Sequence, residues 1–252
     1  MPSIEALLHR RTDLSAFVVH FTRATARATA SDNLKAILED RTIEARNVFG
    51  MAVDLAKKHE AIADTQRTVC FTETPLEHAW MMCEKIPNRT MSFSGYGLAF
   101  TRTFARRMGA NPVWYLDITP GHNWLTVPIN NMVDDAREIA RDPSEGGENA
   151  AAKADILRLT PFIEQMGKPL ETRKEFWWER EWRHVGDFHF HFADLVVVFA
   201  PEEEHDEFEE YLGELKKRGR LPSLVDASWG LERMIAALHS PAWSTPAGVW
   251  SG

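Results

Sequence analysis

Cysteine is scarce in this chain of 252 residues, where only Cys70 and Cys83 occur. Two thiols cannot staple a disulfide scaffold, and their spacing matches no zinc motif, so a reducing compartment is expected. Long apolar runs are missing too. The longest, "ADLVVVFA", falls far short of the roughly twenty residues a membrane-spanning helix needs. The stretch "MPSIEALLHRRTDLSAF" lacks the apolar centre of a signal peptide. A cytoplasmic location with no membrane partner is the expectation. Basic residues are not in excess, since 29 lysines and arginines face 37 acids for a net charge of −8. That argues against a broad face for duplex DNA, while a local patch for nucleic acid stays open. No G-x-x-x-x-G-K-[ST], G-x-G-x-x-G or G-x-S-x-G occurs, which removes P-loop, dinucleotide-fold and α/β-hydrolase architectures. No repeat of solenoid period is evident.

What is present is enough apolar material for a sizeable core, at 44% of the residues. Strands are expected at "AFVVHFT" (16–22), "RTVCFTE" (67–73), "YGLAFTR" (96–102), "PVWYLDI" (112–118), "WEREWRHV" (178–185) and "ADLVVVFA" (193–200), with a brief one at "TIEARN". Helices are expected at "SDNLKAILED", capped by Ser31 or Asp32, and at "TPLEHAWMMCEK", capped by Thr74 with Glu77 completing a capping box. "RTFARRMGAN" reads as a helix stopping at Gly109. "MAVDLAKKHEAIAD" reads as helix or loop. Residues 130–166 read as a helical middle, with "RDPSEGGEN" as a mobile loop inside it. "PEEEHDEFEEYLGELKKRG" and "SLVDASWGLERMIAAL" complete the helices. The pattern is α+β, a mixed sheet with inserted helices. With no clean linker, a single domain over 1–252 is expected, its core spanning about 16–218 and a C-terminal helix and tail filling 219–252.

Several residues carry candidate chemistry. His20 stands at the end of an apolar strand, where it faces a cleft or bonds the backbone as a core histidine. In "EREWR", strand geometry puts Glu179, Glu181 and Arg183 on one face. Two carboxylates so placed repel, and Arg183 can hold one ionised. Such a carboxylate suits a sugar hydroxyl and a cationic transition state, although charged residues also blunt solvated edge strands. "HFHF" sets His189 and His191 on one face near His184 and Asp187, without a third ligand at diagnostic spacing. No tight metal site is expected there. Tyr96, one of three tyrosines, can stack on a planar ligand or simply pack. Cys70 lies in a buried-strand pattern that disfavours a nucleophilic thiol.

The order of the pieces "VVHFT", "NLKAIL", "TIEA", "VCFTETPLEH", "YGLAF", "PVWYL" and "FWWEREWR" resembles the AbiGi-type abortive-infection family of bacteria, named as an antitoxin. The resemblance covers about residues 17–199. A more distant similarity is to the ADP-ribosyltransferase fold, in the branch of toxins that modify DNA bases. It is carried by the first-strand His-x-Thr, an aromatic on a central strand and a late Glu-x-Glu. This similarity implies a split β-sandwich using NAD as substrate, with ADP-ribose passed to a macromolecule or NAD hydrolysed. It implies that His20, with Thr22, contacts an NAD ribose and that Tyr96 stacks on nicotinamide. It also implies that Glu181 bonds the ribose at the scissile bond, with Glu179 upstream of it and Arg183 beside it. Trp177, Trp178 and Trp182 would then pack the strand base. Two departures bear on this: a single tyrosine is offered where some classes place two, and "CFTE" replaces the Ser-Thr-Ser of the arginine-modifying branch. The rival readings are a catalytically silent antitoxin or sensor that binds a nucleotide or a toxin partner, and a metal-dependent nuclease or hydrolase built on His184, His189 and His191.

Overall fold

A computed structural model describes residues 14–85, 93–121, 123–168, 176–215 and 221–239. The architecture is α+β. Its first strand, β1 (Phe17–Phe21), alternates cleanly, with Val18 buried towards one face of the sheet and Val19 and Phe21 towards the other. Helix α1 (Ala30–Asp40) follows. Its cap is Thr29, whose hydroxyl accepts from the Asp32 amide while the Asp32 carboxylate accepts from the Thr29 amide. Asp32 therefore sits third in the helix and closes a capping box, rather than serving as the cap itself.

Two short strands come next, β2 (Thr42–Ile43) and β3 (Asn47–Val48), then helices α2 (Val53–Ala56) and α3 (Glu60–Gln66). Strand β4 (Arg67–Thr72) precedes a 3-10 turn (Leu76–His78) and the short helix α4 (Trp80–Cys83). The expected cap at Thr74 does not form. Thr74 is buried and its hydroxyl lies 2.8 Å from that of Thr72, so it serves the strand end instead. Strand β5 (Gly97–Thr101) leads into α5 (Arg102–Arg107), capped by the Thr101 hydroxyl.

"PVWYLDI" does not form one strand. It divides into β6 (Asn111–Pro112), on the edge of the main sheet, and β7 (Trp114–Asp117), which pairs elsewhere. Helix α6 (Asn123–Arg141) starts earlier than the sequence suggests. "RDPSEGGEN" is built into a 3-10 turn (Pro143–Glu145) and helix α7 (Gly147–Ala151), followed by α8 (Asp155–Leu159). The helical middle then ends in an unexpected strand, β8 (Ile163–Met166), parallel to β7.

"WEREWRHV" is a 3-10 turn (Trp177–Glu179), then Arg180 in the left-handed region (φ 48°), then β9 (Glu181–Val185). "HFHF" contributes β10 (Phe188–His189), which pairs with β2 in a separate ribbon instead of continuing the sheet. Phe188 and Phe190 go into the core, while His189 and His191 are exposed. Strand β11 (Leu195–Phe199), a 3-10 turn (Glu202–Glu204) and α9 (His205–Leu215) come next. "SLV" forms β12 (Ser223–Val225) parallel to β11, so the final helix α10 (Leu231–His239) is shorter than expected.

The main sheet runs β12-β11-β5-β1-β4-β9-β6, with β3 also on β4. One face packs Leu34 and Leu38 of α1, Phe104 of α5 and Phe208 and Leu212 of α9 over Val18, Phe71, Phe100, Trp182 and Val198. The other packs Leu76, Met82 and Met234 over Val19, Ala99, Val197 and Phe199. A helical lobe made of α2, α3, α6, α7 and α8 has a third cluster of its own around Ile62, Leu116, Val133 and Leu157.

The sheet is open at one place. β1 and β4 are in register only at Val19 and Thr72. Continued, that antiparallel register would set Phe21 opposite Cys70. Instead the first half of β4 turns to β3, pairing Thr68 with Asn47 and Arg67 with Val48. The two strands diverge from a common point and leave a wedge between them.

Candidate active site

The wedge is a cavity of about 440 Å³, within the range of small-molecule sites. It is lined by His20 of β1 and Thr22 just after it, by Asn33 and Ile37 of α1, and by Thr68 and Cys70 of β4. β9 and the turn before it supply Glu179, Glu181 and Arg183, and the β7–β8 pair supplies Tyr115 and Glu164.

His20 spans the opening. Its Nδ1 lies 2.9 Å from the Cys70 carbonyl, taking the place of a ladder hydrogen bond that the diverging strands cannot make. Because a carbonyl only accepts, Nδ1 carries the proton. Burial lowers the pKa of the ring, with the Cys70 carbonyl opposing and Arg23 assisting, so the neutral form is favoured. Nε2 is then an acceptor, suited to a hydroxyl donor.

Arg183 is the electrostatic centre. It is 1% exposed, and it pairs across the sheet with Cys70. Nε donates to Glu181 Oε1 at 2.9 Å and Nη2 to Glu181 Oε2 at 2.8 Å, a two-pronged clamp between residues two apart on one strand face. Nη2 also donates to Glu164 Oε2 at 2.7 Å, and Nη1 to the Pro161 carbonyl at 2.8 Å. The Phe49 ring covers the guanidinium at 5.3 Å. Burial alone would lower the Arg183 pKa, but the Glu181 and Glu164 carboxylates outweigh it and the net shift is upward. The guanidinium stays charged and holds Glu181 in one orientation. Burial, reinforced by Glu181, raises the Cys70 thiol well above its ordinary range, which removes it as a nucleophile at neutral pH.

Glu179 lies on the 3-10 turn rather than on the strand, so the regular alternation proposed for 179, 181 and 183 fails at its first member. The left-handed residue Arg180 re-aims the chain, and Glu179 still reaches the cavity wall. The Glu179 carbonyl accepts from the Thr72 hydroxyl at 2.5 Å, and the Glu73 amide donates to the Arg180 carbonyl at 3.1 Å. The 5% exposed Glu73 carboxylate accepts from Arg102 Nη1 at 2.6 Å, from the Trp182 indole at 2.9 Å and from Arg180 Nη2 at 3.5 Å. Trp182 is thus buried and anchored, and Trp178 packs against the core, but Trp177 is 58% exposed and does not brace the strand base.

Thr22 lines the cavity, although its hydroxyl donates to the Ala30 carbonyl at 2.8 Å and so ties β1 to the start of α1. Tyr96 is not brought to the site. Its ring packs on Phe208 and its hydroxyl donates to Glu204 at 2.6 Å, under α9. The tyrosine that lines the cavity is Tyr115, whose hydroxyl accepts from the Glu181 amide at 3.0 Å. Burial raises its pKa, with the nearby Glu181 and Glu179 carboxylates adding to the rise. Sequence reasoning missed Tyr115, Glu164 and Glu73. The rarity of tyrosine pointed as much to Tyr115 as to Tyr96, whereas nothing local marked Glu164.

The histidines of the metal reading go to separate duties. His184 Nδ1 lies 3.0 Å from the Gly186 carbonyl, and His189 Nδ1 lies 2.9 Å from the Thr42 hydroxyl. Among the described residues, no group of three or more histidine, cysteine, aspartate or glutamate side chains could hold a metal ion.

A family model described as "Putative abortive phage resistance protein AbiGi, antitoxin" matches residues 37–216. The chain belongs to that family. The match contains α1 from Ile37 onward, the whole of β4 and β9, and the helical lobe, so most of the cavity wall lies inside it. No curated protein and no solved structure matches the chain. Membership sets the protein in phage defence by abortive infection, in the toxin–antitoxin context that the family description names. Among the described residues, no helix is long and apolar enough to cross a membrane.

Proposed function

We propose that this member of the abortive-infection family uses NAD as a substrate in the wedge between β1 and β4, with an ADP-ribosyltransferase type of chemistry. The observation that supports the reading is the opening between β1 and β4, a cavity lined both by an acceptor histidine, His20 on β1, and by an oriented carboxylate, Glu181 on β9. A ribose offers hydroxyl donors to both. As the bond between C1′ and the nicotinamide nitrogen breaks, its electron pair leaves with nicotinamide and the sugar becomes an oxocarbenium ion. Glu181 stabilises that cation. Water or a nucleophile on a protein or nucleic acid then adds at C1′ and loses a proton. Electrostatic partners of this kind are worth about 2.7–4 kcal/mol. Arg23 and Arg46 also line the cavity and suit a diphosphate.

A second reading keeps the ligand and removes the turnover. It is favoured by the antitoxin description of the family, and by the clamp that engages both oxygens of Glu181. In that case the cleft senses a nucleotide, and the net charge of −8 suits docking to a basic toxin.

Nicotinamide release separates the two. It is followed with cell lysate and with phage-infected lysate as acceptor sources, for wild type and Glu181→Gln. The transferase reading expects turnover that falls about 10²–10³-fold in the variant. Turnover undiminished by Glu181→Gln would mean that the catalytic carboxylate lies elsewhere. No turnover in either lysate, with NAD still bound, would leave the sensor reading.

A further inference from the structure

One residue of the cavity wall brings a proton donor that the mechanism above leaves unused. Strand β6 ends at Pro112, and just beyond it the Val113 amide still makes a ladder bond, to the Glu181 carbonyl at 2.8 Å. The amide of that same Glu181 meets a side chain in place of a ladder carbonyl, since its acceptor is the Tyr115 hydroxyl at 3.0 Å. The exchange changes the chemistry of the wall. A carbonyl only accepts, whereas a phenol that accepts from an amide still has its own hydrogen to give. Tyr115 lines the cavity, and among the described residues its hydroxyl makes no second hydrogen bond. Burial and the nearby Glu181 and Glu179 carboxylates push the phenol pKa up, so the hydrogen stays on the oxygen at neutral pH. A partly buried donor of this kind favours a ligand that offers it an acceptor.

We infer that the Tyr115 hydroxyl donates to a carbonyl oxygen of the bound ligand, which in NAD is the carboxamide oxygen of the nicotinamide ring. The inference rests on the NAD reading of the cavity and names the group that reads the leaving ring. Tyr115 bonds the main chain of the residue whose carboxylate meets the ribose, so its acceptor has to lie near that sugar. The ribose hydroxyls are offered as donors to His20 Nε2 and to the Glu181 carboxylate, which only accept. The diphosphate suits Arg23 and Arg46 elsewhere on the wall, and adenine lies at the far end of the dinucleotide. The carboxamide oxygen is the acceptor that remains beside the scissile bond. A bond to it would fix the turn of the ring about that bond.

The experiment is a calorimetric titration, without lysate, of wild type and Tyr115→Phe with four probes: NAD+, its acetylpyridine analogue, its thionicotinamide analogue and ADP-ribose. The acetylpyridine analogue keeps the carbonyl oxygen and loses the amide nitrogen. The thio analogue replaces that oxygen with sulfur, a poor acceptor, and ADP-ribose has no ring at all. Wild type should bind NAD+ and the acetylpyridine analogue within about 2-fold of each other, and the thio analogue about 3–10-fold more weakly. Tyr115→Phe keeps the aromatic ring and removes the hydroxyl. It should weaken NAD+ by about 3–10-fold, erase the preference for oxygen over sulfur and leave ADP-ribose within about 2-fold of wild type. Equal losses for NAD+ and ADP-ribose would mean that Tyr115 acts only by holding the Glu181 amide, and would overturn the inference. A wild type that does not distinguish oxygen from sulfur would also overturn it while leaving the NAD reading standing. Binding of none of the four would defeat both. The wild-type preferences test the inference even if Tyr115→Phe does not fold.

Discussion

Substituting methionine for Arg183 removes a guanidinium that is 1% exposed and that donates to two carboxylates and a carbonyl. Methionine keeps most of the apolar stem, so the main loss is electrostatic. Breaking a buried ion pair by deleting one partner costs about 3–5 kcal/mol, because the remaining charge has no compensation. Here the remaining charges are Glu181 and Glu164, which are partly hydrated, and that places the cost near the lower end, at about 3 kcal/mol. For a chain of this size each kcal/mol moves the melting temperature by about 2–4 °C, so a fall of about 6–12 °C is expected. Urea unfolding followed by tryptophan fluorescence measures it directly, since the chain has nine tryptophans and Trp182 lies beside the site on β9. The midpoint should drop with little change in slope. Adding Glu181→Gln to Arg183→Met removes one of the stranded charges and should return at least about 1 kcal/mol. A loss below about 1 kcal/mol in the single variant, or a double variant less stable than the sum of its parts, would refute the view of Arg183 as the clamp of this cavity.

Other perturbations test the wedge from different sides. Burial depresses the His20 pKa below its ordinary 6.5, so the unfolded chain binds that proton more readily than the folded one. The stability His20 contributes is therefore complete above about pH 6.5 and is lost as pH falls towards its depressed value. His20→Gln should flatten the difference in urea midpoint between pH 7.5 and pH 5.5 relative to wild type, and an unchanged difference would show that His20 is not buried neutral. Gly97 lies where a methyl group would stand 2.6 Å from the His20 carbonyl oxygen. Gly97→Ala should force β1 from β5 and cost about 1–3 kcal/mol, read by thermal unfolding, and a neutral effect would contradict the close approach of these strands.

How much of this could be read from the chain follows from how local each signal is. β1, β4, β5 and β11 are short runs rich in valine, phenylalanine and threonine, and they lie where those runs end. "PVWYLDI" failed because a single strand was expected where Val113 interrupts two different pairings, one with β9 and one with β8. "SLV" is too short to be told from the start of a helix, and only its parallel pairing with β11 makes it a strand. The capping motif at Thr74 lost to a local contact at the end of β4, the hydroxyl of Thr72. Within the site, His20, Thr22, Glu179, Glu181 and Arg183 were named from sequence and line one cavity. Tyr96 was placed wrongly because a strand start does not reveal which neighbour its side chain meets, and Phe208 and Glu204 on the far side captured it. Glu164 and Tyr115 reach the cavity only through the parallel pairing of β7 with β8, at Tyr115 opposite Glu164, a contact between residues far apart in sequence.

The central claim is that the wedge between β1 and β4 holds a dinucleotide at its ribose. Glu181→Gln, which keeps the shape of the site while slowing any turnover, is the variant to crystallise with NAD. The account predicts density inside the cavity, with a ribose hydroxyl within hydrogen-bond distance of His20 Nε2 and the residue at 181 facing the same sugar. NAD bound outside the wedge, or a wedge that stays empty at saturating NAD, would contradict it.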